Sequence, residues 1–137
     1  MLNLLRNDDL GKLIVRITVS GLMLTHGIAK LFGGIDPIVQ LVKSKGLPGF
    51  FAYGVHVGET VAPILILIGF LTRPAAAILA FNMIVAVALA HPGDIFKLGD
   101  HGEWKMELQA FYFFLALAVM FLGAGKYSVS KGKGKWD

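Results

Sequence analysis

The sequence predicts an all-α membrane protein, a four-helix transmembrane bundle with a short interfacial helix between the first two spans. Of its 137 residues, 55% are hydrophobic and only 16% are charged. The hydrophobic residues fall into four runs, at about 13–32, 50–71, 74–91 and 106–123. Apolar runs of ~20 residues cross a bilayer as helices. Because the connections are short, we expect residues 1–137 to form a single integral-membrane domain.

The first span carries its polar side chains in one stripe. At 100° per residue, Arg16, Ser20, His26 and Lys30 lie within about a third of the helix circumference. An ionisable side chain costs roughly 2.5–3.5 kcal/mol at the bilayer centre, so this stripe should face protein rather than lipid. Residues 1–12 resemble an interfacial lead-in, in which Asn7 is a candidate helix cap.

The first connection contains a second helix signal. Asp36 is a capping residue type, and Pro37 suits a first helical position. Ile38, Leu41 and Val42 then recur at helical spacing. We expect a short helix along the membrane surface over 36–45, and a plain loop is the alternative.

The second span contains the sharpest single signal, Glu59. A carboxylate inside a membrane needs a partner or a proton. Gly54 and Gly58 form a GxxxG pair that lets another helix approach closely. Pro63 should bend the helix, because it leaves a carbonyl without its donor.

The last two spans are less polar. The third is rich in alanine, so it should pack centrally, and Asn82 is suited to a hydrogen bond between helices. The fourth begins beside Glu107. A basic tail follows over residues 124–137, and its end, Lys131–Asp137, is expected to be flexible.

Hairpin topology should bring the ionisable groups of different spans into one layer. Four antiparallel helices place the end of the first and third spans beside the start of the second and fourth. We therefore expect a polar pocket at the outer mouth of the bundle, formed by His26, Lys30, His56, Glu59, His91 and Glu107.

These residue types suit acid–base chemistry on a small lipophile with a polar head, such as a quinone. His26 and Glu59 are the candidate catalytic groups, and Lys30, His56, His91 and Glu107 are candidate ligand-binding groups. A His/carboxylate metal site is a second possibility. The order His56-x-x-Glu59 is the reverse of the Glu-x-x-His motif of di-iron bundles. The sequence therefore does not indicate which metal such a site would bind. The chain has no cysteine, which excludes disulfides and thiolate-bound clusters.

The net charge of +4 does not indicate nucleic-acid binding, because the basic residues lie between and after the spans. Lys30, Lys43, Lys45, Lys97 and Lys105 lie on one side. The opposite side has seven basic residues: Arg6, Lys12, Arg73, Lys126, Lys131, Lys133 and Lys135. The excess favours a multi-pass protein with both termini cytoplasmic.

Several stretches together resemble the DoxX family. They are His26-Gly27-x-x-Lys30-Leu31-Phe32-Gly33-Gly34, Gly46-Leu47-Pro48, Gly58-Glu59, Leu67-Ile68-Gly69-Phe70-Leu71-Thr72-Arg73, and Gly123-Ala124-Gly125-Lys126-Tyr127-Ser128. Ser130 stands where the family often has an Asp. The resemblance implies a four-span protein of the bacterial inner membrane, an oxidoreductase subunit linked to quinone or quinol. It also adds Arg73 to the ligand-binding candidates, in a headgroup or orienting role.

The sequence leaves the function open between three classes of protein. The leading hypothesis is a redox-linked subunit that binds a quinone and partner redox subunits, with a metal or haem as the weaker cofactor. The second is a non-catalytic membrane scaffold for partner proteins. The third is a membrane protein that handles a small solute or a metal. The lipid bilayer is a partner in each case, and oligomerisation is compatible with all three.

Overall fold

The structure, a computed structural model that describes residues 6–137, is an all-helical bundle, as predicted. Its five helices are α1 (Asp8–Gly33), α2 (Asp36–Ser44), α3 (Gly49–Ile68), α4 (Thr72–Ala90) and α5 (Glu107–Leu122). Within residues 6–137 the one pairing of extended backbone is the isolated bridge between Leu98 and Trp104. By length and composition, α1, α3 and α4 could each cross a membrane, and α5 is a shorter apolar helix.

The bundle has two polar ends. Residues 6–12, 69–73 and 123–137 meet at one end, where Lys126 N donates to Asp9 and Val129 N donates to the Ile68 carbonyl. We call this end the terminal face. The opposite end, the loop face, contains α2 and the connection 91–105. There Ile35, Val42 and Ala52 form a small apolar cluster that packs α2 onto the start of α3.

The main core lies between these faces. Val19 and Met23 from α1 pack with Ile66 from α3, Leu79 from α4 and Val119 from α5. The alanine-rich α4 contributes Ala75, Ala76, Leu79, Ala80 and Met83 to this core. Ala90, at the end of α4, is exposed.

The helix boundaries differ from the prediction mainly in α1. This helix begins at Asp8, five residues before the predicted start, so residues 8–12 are not a separate lead-in. Residues 1–5 of that lead-in lie outside the described part of the chain. Asn7 caps α1 as predicted, accepting from Leu10 N at 3.0 Å. In contrast, Asp36 makes no capping bond, because Ile35 occupies the cap position of α2.

The expectation of a flexible tail is wrong. Residues 124–137 form turns that pack on the terminal face. Val129 N donates to Ile68 at 2.9 Å, and Arg73 N donates to the carbonyl of Trp136 at 3.0 Å. The lysines of the tail predicted that it would be surrounded by water. Its backbone groups instead form hydrogen bonds with the ends of α3 and α4.

Candidate functional site

Glu59 lies in a distorted part of α3. The helix has a π-helical turn at Val57–Val61, and Ala62 N donates to the Val57 carbonyl five residues earlier. Pro63 follows this turn and has no N–H to offer the Glu59 carbonyl, four residues before it. The predicted disturbance at Pro63 is therefore a π turn. Such turns often occur at functional sites in helices.

Two glycines let neighbouring helices approach Glu59. A Cβ atom on Gly27 of α1 would overlap the carbonyl oxygen of Glu59. A Cβ atom on Gly58 would overlap the side chain of Asn82 on α4. In contrast, nothing lies within 4 Å of such an atom on Gly54. The close contact of α3 thus uses Gly58 and not the predicted Gly54–Gly58 pair.

These contacts assemble a cluster that we call the Glu59 cluster: Lys30, Glu59 and Asn82. Lys30 Nζ forms an ion pair with Glu59 Oε2, and Asn82 Nδ2 lies 3.5 Å from Glu59 Oε1. The Glu59 side chain is only 7% exposed, whereas that of Lys30 is 29% exposed. A buried carboxylate therefore has both a cationic partner and an amide donor, as its burial requires.

Two aromatic rings meet at the seam between α1 and α5. Tyr112 of α5 is buried. Its ring meets that of His26 edge-to-face at 5.8 Å between centroids. His26 itself is exposed between α1 and α5. The seam between these two helices thus presents an imidazole outside and a phenol inside.

The structure distributes the other candidate residues elsewhere. His56 is half-buried, its Nδ1 has no partner among residues 6–137, and its ring is 6.3 Å from that of Tyr53. His91 pairs with Asp94 at 3.6 Å. Glu107 is exposed and lines a polar pocket formed with the 91–105 connection. The predicted layer of six groups is therefore divided. Lys30 and Glu59 pair in the Glu59 cluster, and His91 and Glu107 lie with the 91–105 connection. His26 and His56 have aromatic neighbours apart from both.

Arg73 is at the opposite end of the bundle, on the terminal face. Its guanidinium donates to the carbonyls of Met120 and Phe121 at the end of α5, and to Asp137 O at 2.9 Å. Arginine near a helix C-terminus is stabilised by the unpaired carbonyls and the helix dipole. The guanidinium thus joins the start of α4 to the end of α5 and to Asp137.

Asp94 organises the connection 91–105. It contacts Lys97 at 3.2 Å and Lys105 at 4.0 Å, in addition to His91. The hydrogen bond from Lys97 is the main cause that lowers the pKa of Asp94, and the positive charges of Lys97 and Lys105 lower it further. Trp104 closes this loop by donating from its indole to the Ile95 carbonyl at 2.7 Å.

Sequence reasoning anticipated the hydrogen bond of Asn82 but missed Tyr112. The signal was present, since Tyr112 is the one hydroxyl-bearing residue in the apolar run of α5. For the described residues 6–137, no three His, Cys, Asp or Glu side chains converge as a metal site would require. The groups that do converge are an amine, a carboxylate and an amide, which suit hydrogen bonding and proton exchange.

The fold and the site define a small multi-span membrane protein with a buried ionic cluster near one face. The profile of the DoxX family matches residues 11–92, more than half of the chain. The chain belongs to the DoxX family. The profile covers α1 to α4, and therefore all three residues of the Glu59 cluster.

Individual relatives extend this similarity. The chain is 35% identical over 136 residues to the inner membrane protein YphA of Escherichia coli (strain K12), covering 90% of this chain and 96% of the relative. It is 32% identical over 125 residues to the inner membrane protein YqjF of the same organism, covering 90% and 92%. A Bacillus subtilis (strain 168) protein named "Putative oxidoreductase CatD" is 30% identical over 82 residues, 60% of each chain. No solved structure matches the chain.

Proposed function

We propose that this protein is a redox-linked subunit of the bacterial cytoplasmic membrane that binds the polar head of a quinone or quinol at the Glu59 cluster. The observation that carries the proposal is the buried Lys30–Glu59 pair, and the contact between the rings of His26 and Tyr112 places two more hydrogen-bonding side chains at the seam between α1 and α5. A lipophile that diffuses in the bilayer can approach such a seam laterally. The name of the Bacillus subtilis relative also supports a redox role.

Each group of the site has a role in this proposal. The Lys30 ammonium donates a hydrogen bond to a ring oxygen, and Asn82 holds the Glu59 carboxylate in position. Glu59 accepts or returns a proton, and His26 exchanges it with the surface. A quinol that is oxidised releases two protons and two electrons. The cluster offers groups for the protons, and the electrons require a partner redox subunit.

A second candidate function is a non-catalytic scaffold. The specific observation in its favour is that both oxygens of Glu59 already have partners within the protein. In that case the cluster stabilises the contact between α1, α3 and α4, and binds nothing. The two functions predict opposite results for variants that change charge but preserve shape.

The test compares Glu59→Gln and His26→Gln with the control Glu107→Gln in purified protein. The probe is a short-chain ubiquinone analogue. We expect the first two variants to bind it at least about tenfold more weakly, a change of about 1.4 kcal/mol. Their unfolding free energy should stay within about 1 kcal/mol of wild type, because an amide at position 59 costs less to bury than a carboxylate and the His26 side chain is exposed. Glu107 is exposed and outside the cluster, so its variant should bind normally.

Two results would reject quinone binding at this cluster. One is unchanged affinity for the analogue in the double variant of His26 and Glu59. The other is a loss of stability that accompanies every loss of binding, which is the result that the scaffold predicts. Partner proteins that co-purify with wild type but not with Glu59→Gln would then support the scaffold.

The proposed orientation places both termini in the cytoplasm, so that the loop face is the outer mouth. Five exposed basic residues of the terminal face support it, together with the partly exposed Lys12: Arg6, Lys126, Lys131, Lys133 and Lys135. A reporter domain fused after Asp137 should be active only if it is of a cytoplasmic type. Activity of a periplasmic reporter at the same position would invert the assignment.

A further inference from the structure

The last helix of the bundle is too short to cross a membrane by itself. α5 has 16 residues, which at about 1.5 Å each span about 24 Å, whereas the hydrocarbon core of a bilayer is about 30 Å thick. Its last turn is fixed at the terminal face, where Arg73 donates to the carbonyls of Met120 and Phe121. The missing depth therefore lies at the other end of α5, where the 91–105 connection precedes it.

The apolar surface of the spans continues onto this connection. Ile95 and Trp104 line one apolar groove together with Ile84 of α4 and Phe114 of α5. Ile84 and Phe114 are exposed residues in the middle of apolar helices, so they face the acyl chains of the lipid. Because the two residues of the connection border the same groove, they lie next to this lipid-facing surface.

Trp104 marks the level at which the apolar surface ends. On its other side it lines a polar pocket with Asp100, His101, Glu103 and Glu107. A tryptophan with an apolar groove on one side and polar groups on the other is suited to the boundary between hydrocarbon and headgroups, where this residue type is enriched. The tip of the connection is therefore the part that faces water.

The backbone of the connection is closed on itself as a hairpin. Gly99 N donates to the Glu103 carbonyl at 2.7 Å, and Lys105 N donates to the Lys97 carbonyl at 3.1 Å. Unpaired backbone groups are costly next to hydrocarbon, so a hairpin that pairs its own groups is a form of chain that the edge of a membrane tolerates.

Two large apolar side chains of this hairpin have no cover within the protein. Phe96 is 98% exposed and Leu98 is 67% exposed. We propose that the 91–105 connection is an interfacial hairpin that inserts Phe96 and Leu98 into the edge of the lipid bilayer and so completes the fourth span. This contact with lipid does not depend on the function proposed for the Glu59 cluster.

The charges of the hairpin indicate which lipids it accepts. Its three carboxylates accompany two lysines, so it has no excess of positive charge: Asp94, Asp100, Glu103, Lys97 and Lys105. Basic segments select anionic headgroups, whereas insertion of apolar side chains needs only a bilayer surface. We therefore expect the hairpin to insert equally into zwitterionic and anionic membranes.

The first experiment measures depth with a label at a single cysteine, which is possible because the chain has none of its own. Phe96→Cys and the control His101→Cys each carry the fluorophore NBD, in the full-length protein in phosphatidylcholine nanodiscs. Both positions are exposed, so the label displaces no packing. Lipid spin-labelled near the top of its acyl chains should quench the label at position 96 at least about threefold more than that at position 101. Aqueous iodide should show the opposite order.

The second experiment needs no label. Trp136 lies on the terminal face, so a Trp136→Phe background leaves Trp104 as the single tryptophan. Lipids brominated near the headgroup end of their acyl chains should quench Trp104 at least about twofold more than lipids brominated near the chain ends. The ratio should be the same in pure phosphatidylcholine and in a mixture with phosphatidylglycerol.

Three results would overturn the proposal. Equal access of iodide to positions 96 and 101 would place the hairpin in water and leave Phe96 available to a protein partner. Quenching of Trp104 by iodide but by neither brominated lipid would have the same meaning. Quenching by lipid that requires phosphatidylglycerol would show a contact driven by charge instead. The Trp104 measurement decides the proposal even if a labelled variant fails to fold.

Discussion

The α-carbon of Gly27 lies directly against the main-chain carbonyl of Glu59, with no room for a side chain between α1 and α3. This is the carbonyl that lacks the usual donor because residue 63 is proline. Lys30 lies three residues after Gly27, on the same side of α1. The glycine contact therefore brings the ammonium of Lys30 to the Glu59 carboxylate.

Gly27→Ala should destabilise the protein by about 1–3 kcal/mol, the usual cost of overpacking a well-packed contact. The added methyl group would collide with Glu59 O and Thr60 Oγ1. Gly21→Ala is a matched control on the same helix, because nothing lies within 4 Å of a Cβ atom there. Alanine favours a helix over glycine by about 1 kcal/mol, so the control should be neutral or stabilising. Equal melting temperatures of the two variants in detergent would refute the contact.

Lys30→Met should be more destabilising than Glu59→Gln. Removal of Lys30 leaves a carboxylate that is 7% exposed without its cation, whereas removal of the Glu59 charge leaves an ammonium that is 29% exposed. The loss of one partner of a buried ion pair costs up to about 3–5 kcal/mol, and Lys30 can instead turn toward the surface. The double variant should recover most of the stability lost in Lys30→Met. Thermal unfolding of the four proteins gives the coupling free energy, and strict additivity would argue against the pair.

The sequence was sufficient to predict that Lys30 and Glu59 lie in one layer with four other ionisable groups, but it singled out His26 rather than Lys30 as the partner of Glu59. Lys30 and Glu59 are both ionisable residues in apolar runs, and hairpin topology places the end of the first span beside the start of the second. An unpaired charge inside a membrane is so costly that only a few arrangements of the helices are possible. The four-helix architecture followed from the same argument, since hydrophobic run length is a strong signal in membranes.

The positions of His91 and the tail could not be predicted in the same way. Near the ends of helices, polar residues have water and loop groups as alternative partners, so helix order does not decide between them. His91 pairs with Asp94, three residues away, rather than with a group of the Glu59 cluster. The tail carries lysines that suggested solvation, but its attachment uses backbone groups, which every sequence has.

Arg16→Met should release the tail from the terminal face. The Arg16 side chain is buried, with 2% exposure, and donates to the carbonyls of Ala124, Leu67 and Tyr127. Hydrogen bonds from a charged donor contribute about 1.5–3 kcal/mol each, so their loss outweighs the local stability of a short turn. Trypsin should then cleave after Lys126 and Lys131 at least about tenfold faster than in wild type.

The matched control for that experiment is Arg6→Gln. It removes the same charge from the same face, but Arg6 is exposed. Its tail should be cleaved at the wild-type rate. If both variants were cleaved equally fast, net charge would hold the tail in place rather than the hydrogen bonds of Arg16.

Acid should loosen the 91–105 connection through Asp94. The hydrogen bond from Lys97 lowers the pKa of Asp94 in the folded protein, relative to about 3.9 in an unfolded chain. A lowered folded-state pKa stabilises the fold fully above the unfolded value, and this contribution is lost as the pH falls from about 4 toward the folded-state pKa. Trp104, bonded to Ile95, reports the order of the loop. In the Trp136→Phe background we expect a fluorescence change that begins near pH 4 in wild type and is absent in Asp94→Asn, whose loop is already loosened at neutral pH. A wild-type transition that persists in Asp94→Asn would assign the effect to groups other than Asp94.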